Sequence, residues 1–157
     1  MRRAASLALA AAAMLCAGAA RAYCVHNQTG VTVVVEQEAH PDPLRHERRF
    51  RHTLSPGERR CCARRDLDCN PLGRRDAIVE LAVTIPGPPP YHCGYPEGAE
   101  PNVKVTGGGS IRIQRNPRTR SAYPYIVRVA THDKDITGPR GLACPPSSKT
   151  SLPKGKP

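Results

Sequence analysis

Three sets of side chains in this 157-residue chain have the types and spacing to do chemistry: arginines that could hold an anion, oxygen ligands that could hold a cation, and cysteines that could pair. The arginines are the densest. Positions 45–75 contain Arg45, Arg48, Arg49, Arg51, Arg59, Arg60, Arg64, Arg65, Arg74 and Arg75 against Glu47, Glu58, Asp66 and Asp68, a net +6 over 31 residues. A guanidinium offers a planar fork of donors that matches two oxygens of a phosphate, sulfate or carboxylate, and concentrated positive charge draws such groups in. Arg48, Arg49, Arg51, Arg59, Arg60, Arg64, Arg65, Arg74 and Arg75 are therefore the candidate anion contacts. Four pairs among them are adjacent, and neighbours on a strand face opposite ways, so they cannot all line one groove. Arginine also outnumbers lysine 19 to 5 along the whole chain, a bias that spreads arginines without any ligand.

Asp66, Asp68 and Asn70 stand where positions 1, 3 and 5 of a calcium loop would be. The EF-hand form then requires glycine at position 6 and glutamate at 12, where this chain has Pro71 and Ala77. A turn braced by its own Asp and Asn side chains is the better expectation, and no metal or cofactor is assigned. His26, His40, His46, His52, His92 and His132 never fall into an HExxH spacing, and no GxSxG occurs. An enzyme would have to be built from loops, with His92, His132 and Asp133 as its material. With no Trp, one Phe and five Tyr, the chain lacks a stacking platform for bases, which argues against a sequence-specific nucleic-acid reader.

The cysteines point to a compartment. Met1-Arg2-Arg3, an Ala-rich apolar stretch over 4–20 and Ala20-Arg21-Ala22 before Tyr23 have the layout of a secretory signal peptide over 1–22. The stretch is short and weakly apolar for a membrane span. Cys16 leaves with the signal, and six remain: Cys24, Cys61, Cys62, Cys69, Cys93 and Cys144. An even count in an exported chain predicts disulfides, and a secreted or periplasmic location follows. If Cys61 and Cys62 lie on a strand they face opposite ways and take different partners. A short loop to Cys69 from one of them, and Cys93 with Cys144, are the pairings expected. The 24 Lys+Arg and 13 Asp+Glu give +11; without Arg2, Arg3 and Arg21, 21 against 13 leave +8.

These groups must be positioned by strands. The apolar runs are short, rich in Val and Ile, and bounded by Gly, Pro, Asn and Asp. Ala77, Val79, Leu81, Val83 and Ile85 share one face of the clearest strand, which the prolines from Pro86 onward stop. Segments 23–27 and 31–38 flank the turn residues 27–30 and suggest an opening hairpin. Phe50, His52 and Leu54 alternate with Arg49, Arg51 and Thr53, and 59–65 could carry a short strand with the cysteine pair. Segments 103–105 and 111–113, joined by the glycines 107–109 in a hairpin turn, and 125–130 complete the set. About seven short strands make one all-β domain over 23–144, a small disulfide-stabilised antiparallel β-sandwich or barrel. A Pro/Ser/Lys-rich tail over 145–157 has little to bury and is expected to be disordered. The length excludes two large domains, and the pattern excludes a Rossmann enzyme and a helical membrane bundle.

The favoured function is thus a secreted or periplasmic binding module, not an enzyme, whose arginines contact anionic polysaccharide, lipid head groups or an acidic protein. An exported hydrolase or metal-dependent enzyme with a loop-built site, and a structural or inhibitor-like interaction protein, are the alternatives.

Overall fold

The computed structural model describes residues 21–95, 102–118, 120–131 and 134–147. Segments 1–20 and 148–157, which hold most of the expected signal and tail, lie outside them, as do His132 and Asp133. Eleven strands occur in the described residues: β1 (Arg21–Gln28), β2 (Val33–Gln37), β3 (Arg51–Leu54), β4 (Arg59–Ala63), β5 (Ile78–Ile85), β6 (Tyr91–Cys93), β7 (Val103–Thr106), β8 (Gly109–Arg115), β9 (Tyr125–Thr131), β10 (Lys134–Asp135) and β11 (Leu142–Ala143). A 3₁₀ turn over Pro43–Arg48 is capped by the Asp42 side chain, which accepts from Leu44 N–H at 2.9 Å.

The strands form two sheets, and the protein is an all-β sandwich. The first sheet has the order β10-β9-β8-β1-β4, with β11 also on β9; the second has the order β3-β2-β5-β6, with β7 also on β5. Alternation explains why they pack. Val25, Ile111 and Val129 are in register on the inner face of the first sheet, and Val35 and Val83 face them from the second. The inner residues of both sheets form one buried cluster, in which each fully buried Val, Leu or Ile contributes about 1.5–3 kcal/mol.

The hairpin expected at 27–30 does not form. β1 pairs antiparallel with β4 and parallel with β8, whereas β2 pairs with β3 and β5 in the other sheet. The cause is Asn27, whose side chain is wholly buried. Its Nδ2 donates to Val31 O (2.8 Å), Leu54 O (3.0 Å) and Ser55 O (3.0 Å), while its Oδ1 accepts from Thr29 N–H and Oγ1–H. These bonds turn the chain from one sheet into the other and tie that crossing to the end of β3. The turn after β7 likewise crosses between sheets instead of closing a hairpin. There Gly107 lies so close to Arg74 that an added Cβ would come within 2.2 Å of the Arg74 carbonyl oxygen.

Three disulfides brace the sandwich: Cys24–Cys61, Cys62–Cys69 and Cys93–Cys144. The adjacent cysteines part because Cys61 faces outward and Cys62 inward on β4. Each bridge is worth about 2–4 kcal/mol, and such bonds persist in an oxidising compartment. Beyond Cys144, Pro146 bridges to Tyr91 and Ser147 N–H donates to Pro90 O at 2.7 Å, so the paired region continues to 147. Among the described residues no helix is long and apolar enough to cross a membrane.

Asn27→Ala removes the side-chain donor from Leu54 O and Ser55 O, while Val31 O keeps Thr29 Oγ1, and should cost about 3 kcal/mol in denaturant unfolding of the disulfide-intact protein, with a loss under about 1 kcal/mol contradicting that role. Tyr23 gives the opposite expectation. Its hydroxyl is buried without a hydrogen-bond partner among the described residues, and burial, then the negative Asp66, push its ionisation well above the usual range. Tyr23→Phe keeps the ring contact with Phe50 and should leave stability unchanged or raise it by up to about 1 kcal/mol.

Candidate functional site

The pairing of β1 between β4 and β8 brings together side chains that the sequence keeps far apart. His26 is in register with Arg59 on one side and Arg112 on the other, and Arg112 is in register with Arg128 on β9. Partners in register point to the same face, so Arg59, His26, Arg112 and Arg128 form one row across four strands. Their inward neighbours Val25, Ile111, Ile113, Val127 and Val129 are core residues, which places the row on the outer face. With strands about 4.8 Å apart, the row is about 14 Å long.

A second row runs alongside it, in the order Cys61, Cys24, Ser110 and Ala130. The two rows border a hollow of about 320 Å³ lined by Cys24, His26, Gln28, Arg59, Ser110 and Arg112. A smaller hollow of about 50 Å³ adjoins it between Ser110, Arg112, Arg128 and Asp135. The surface is polar: Gln28 Nε2 lies 3.3 Å from His26 Nδ1, and Gln114 stands in register with Gln28.

Charge balance separates this face from the rest of the molecule. Among the described residues, Asp135 is the one acid on the strands of this sheet, and neither Arg59 nor Arg112 has a carboxylate partner. Arg128 is partly neutralised by Asp135 at 3.3 Å, and it also donates to Pro139 O. On the other sheet the cations are matched, with Arg49 and Arg51 both on Glu36 and Lys104 3.7 Å from Glu80.

Of the nine candidate arginines, one falls in the row: Arg59. Arg48 ends the 3₁₀ turn, Arg49 and Arg51 are held by Glu36, and Arg60 is bonded to Glu58. Arg64 and Arg65 sit in the turn after β4, Arg74 pairs with Asp76, and Arg75 lies against Gly108. The 45–75 cluster is therefore spread around the sandwich. Arg112 and Arg128 were missed by density alone, but each is a lone cation between two aliphatic residues in a strand, a pattern that marks an outward position.

The Asp66–Asn70 run is a braced turn. Asp66 Oδ1 accepts from Asp68 N–H at 3.0 Å, Asp68 takes Arg45 at 2.9 Å, and Asn70 Nδ2 donates to Arg64 O and Arg74 O. Among the described residues no three His, Cys, Asp or Glu side chains gather in a way that could hold a metal ion. His92 touches Thr84 Oγ1 at 3.4 Å, and the rest of the loop-built set lies outside the described residues. A larger hollow of about 490 Å³ beside β5 is mainly apolar, and Glu80 is its one charged lining group.

No protein-family model, curated protein or solved structure matches this chain.

Asp135 is held mainly by its own turn, with the Arg128 charge a smaller contribution. Burial works to raise its carboxyl, but hydrogen bonds from Thr137, the Arg128 charge and Gly138 N–H outweigh burial in sum and hold it below the usual aspartate range. A carboxylate held low stabilises the fold above its unfolded value near about 3.9, and loses that contribution as pH falls through the folded value. Carboxyl NMR should find Asp135 ionising below that range and rising in Arg128→Gln; no change in the variant would contradict the contact.

Proposed function

We propose that this protein is an exported, non-enzymatic binding module that holds anionic polysaccharide across the outer face of the β10-β9-β8-β1-β4 sheet. The observation that carries the reading is the in-register row Arg59, His26, Arg112 and Arg128, in which the two arginines beside His26 lack carboxylate partners among the described residues. Unneutralised guanidinium groups fixed on a rigid sheet present forks of donors at set intervals, which suits repeated sulfate or carboxylate groups. A lipid surface fits less well. Of the exposed large apolar residues, Leu44, Leu67, Leu72 and Ile78 lie away from this face, and Ile136 and Tyr123, which border the sheet at β10 and β9, form no continuous apolar patch with them. The signal-like amino terminus and the three disulfides favour an extracytoplasmic setting, where such polymers are met.

Retention of the intact protein on an immobilised sulfated polysaccharide, run in a salt gradient, tests this. The protein should be held at low ionic strength and released near or above about 0.15 M salt, since exposed charge contacts are screened. At about 1 kcal/mol per contact, Arg59→Gln with Arg112→Gln should weaken binding about 30-fold, while Arg64→Gln with Arg65→Gln should change it far less. Absence of retention, equal losses in both double variants, or preference for anionic vesicles or an acidic protein would overturn the reading.

A further inference from the structure

We infer that Cys24–Cys61 is a thiol-exchange site, reducible in the folded protein by a small anionic thiol of the glutathione class while the other two disulfides stay closed. The three bridges differ in where they lie. Cys93 and Cys144 have no exposed surface, and Cys62 and Cys69 are at most 5% exposed, all four within the buried cluster. Cys24 and Cys61 instead occupy the outer face of the sheet; Cys24 is 6% exposed, close to Cys69, and the difference lies in Cys61, which is half-buried on the edge strand β4. Among the described residues β4 pairs with β1 alone, so the side of Cys61 away from Cys24 is the open edge of the sheet. Cys24 lines two adjoining hollows on that face, one of about 320 Å³ and one of about 180 Å³.

The surroundings favour attack and departure alike. Arg59 stands two residues before Cys61 on the same face, and Arg112 two residues after Ser110, the residue in register with Cys24. Both are cations without carboxylate partners among the described residues. They attract an anionic thiolate to the bond, and cations near a cysteine lower its pKa and make it the better leaving group. Glu58, the residue before Arg59, is occupied by Ser55 N–H and Arg60.

The exchange balances with two thiols consumed per bridge. One thiolate attacks Cys61 Sγ, forming a mixed disulfide, and the electron pair of the broken S–S bond leaves on Cys24 Sγ. A second thiolate attacks the sulfur bound to Cys61, releasing the oxidised thiol dimer and the Cys61 thiolate. The protons lost by the two attacking thiols end on Cys24 and Cys61. Reduction removes the covalent tie that holds β4, and with it Arg59, against β1.

Graded exposure of the native protein to reduced glutathione, followed by acid quench, alkylation and peptide mass mapping, tests the inference. Cys24 and Cys61 should be alkylated together and at least about tenfold faster than the other four. A different pair opening first, or all six cysteines reacting together, would overturn it. Arg59→Gln with Arg112→Gln should slow the reaction with glutathione several-fold more than the reaction with uncharged mercaptoethanol. An unchanged ratio would contradict the role given to the arginines.

Discussion

The whole arrangement depends on one buried amide. Asn27 bonds to Val31 O within the inter-sheet crossing and to Leu54 O and Ser55 O at the end of β3, and this keeps β1 out of a hairpin with β2. β1 is free to enter the other sheet between β4 and β8, antiparallel to one and parallel to the other. A buried side-chain amide is costly unless its donors and acceptor are used, and here all of them are. Its burial also removes Asn27 from reach of any glycan, although Asn27-Gln28-Thr29 has the form of an acceptor site.

From that placement the electrostatic character of the two outer faces follows. The β3-β2-β5-β6 sheet mixes acids with its cations, so Arg49, Arg51 and Lys104 are neutralised where they stand. The other sheet carries arginines at outward positions of β4, β8 and β9 and a single acid on its strands among the described residues. Exposed ion pairs add little to stability, so the difference between the faces matters more for binding than for folding. The same face also bears the most exposed of the three disulfides, so a covalent tie and a cationic row share one edge of the sheet.

Much of the fold was legible because period-two alternation is a local signal. β5 reads directly from Val79, Leu81, Val83 and Ile85, and the different partners of Cys61 and Cys62 follow from strand geometry. The opening hairpin was misread because Asn27 and Gly30 look the same at a hairpin turn and at a crossing; what separates them is the long-range bond to Leu54. β10 and β11, two residues each, are too short to show any period. The candidate site was legible only in part. Density along the chain marked 45–75, but strand register decides which cations meet, and it joined Arg59 to Arg112 and Arg128 while spreading the rest.

The most direct test of the cationic row is residue-resolved. In the isotopically labelled protein titrated with a sulfated oligosaccharide, amide shifts should concentrate on β4, β1, β8 and β9 around Arg59, His26, Arg112 and Arg128. Shifts centred instead on Arg48–Arg51, Arg64–Arg65 or Arg74–Arg75, or spread evenly over all arginines, would contradict the account.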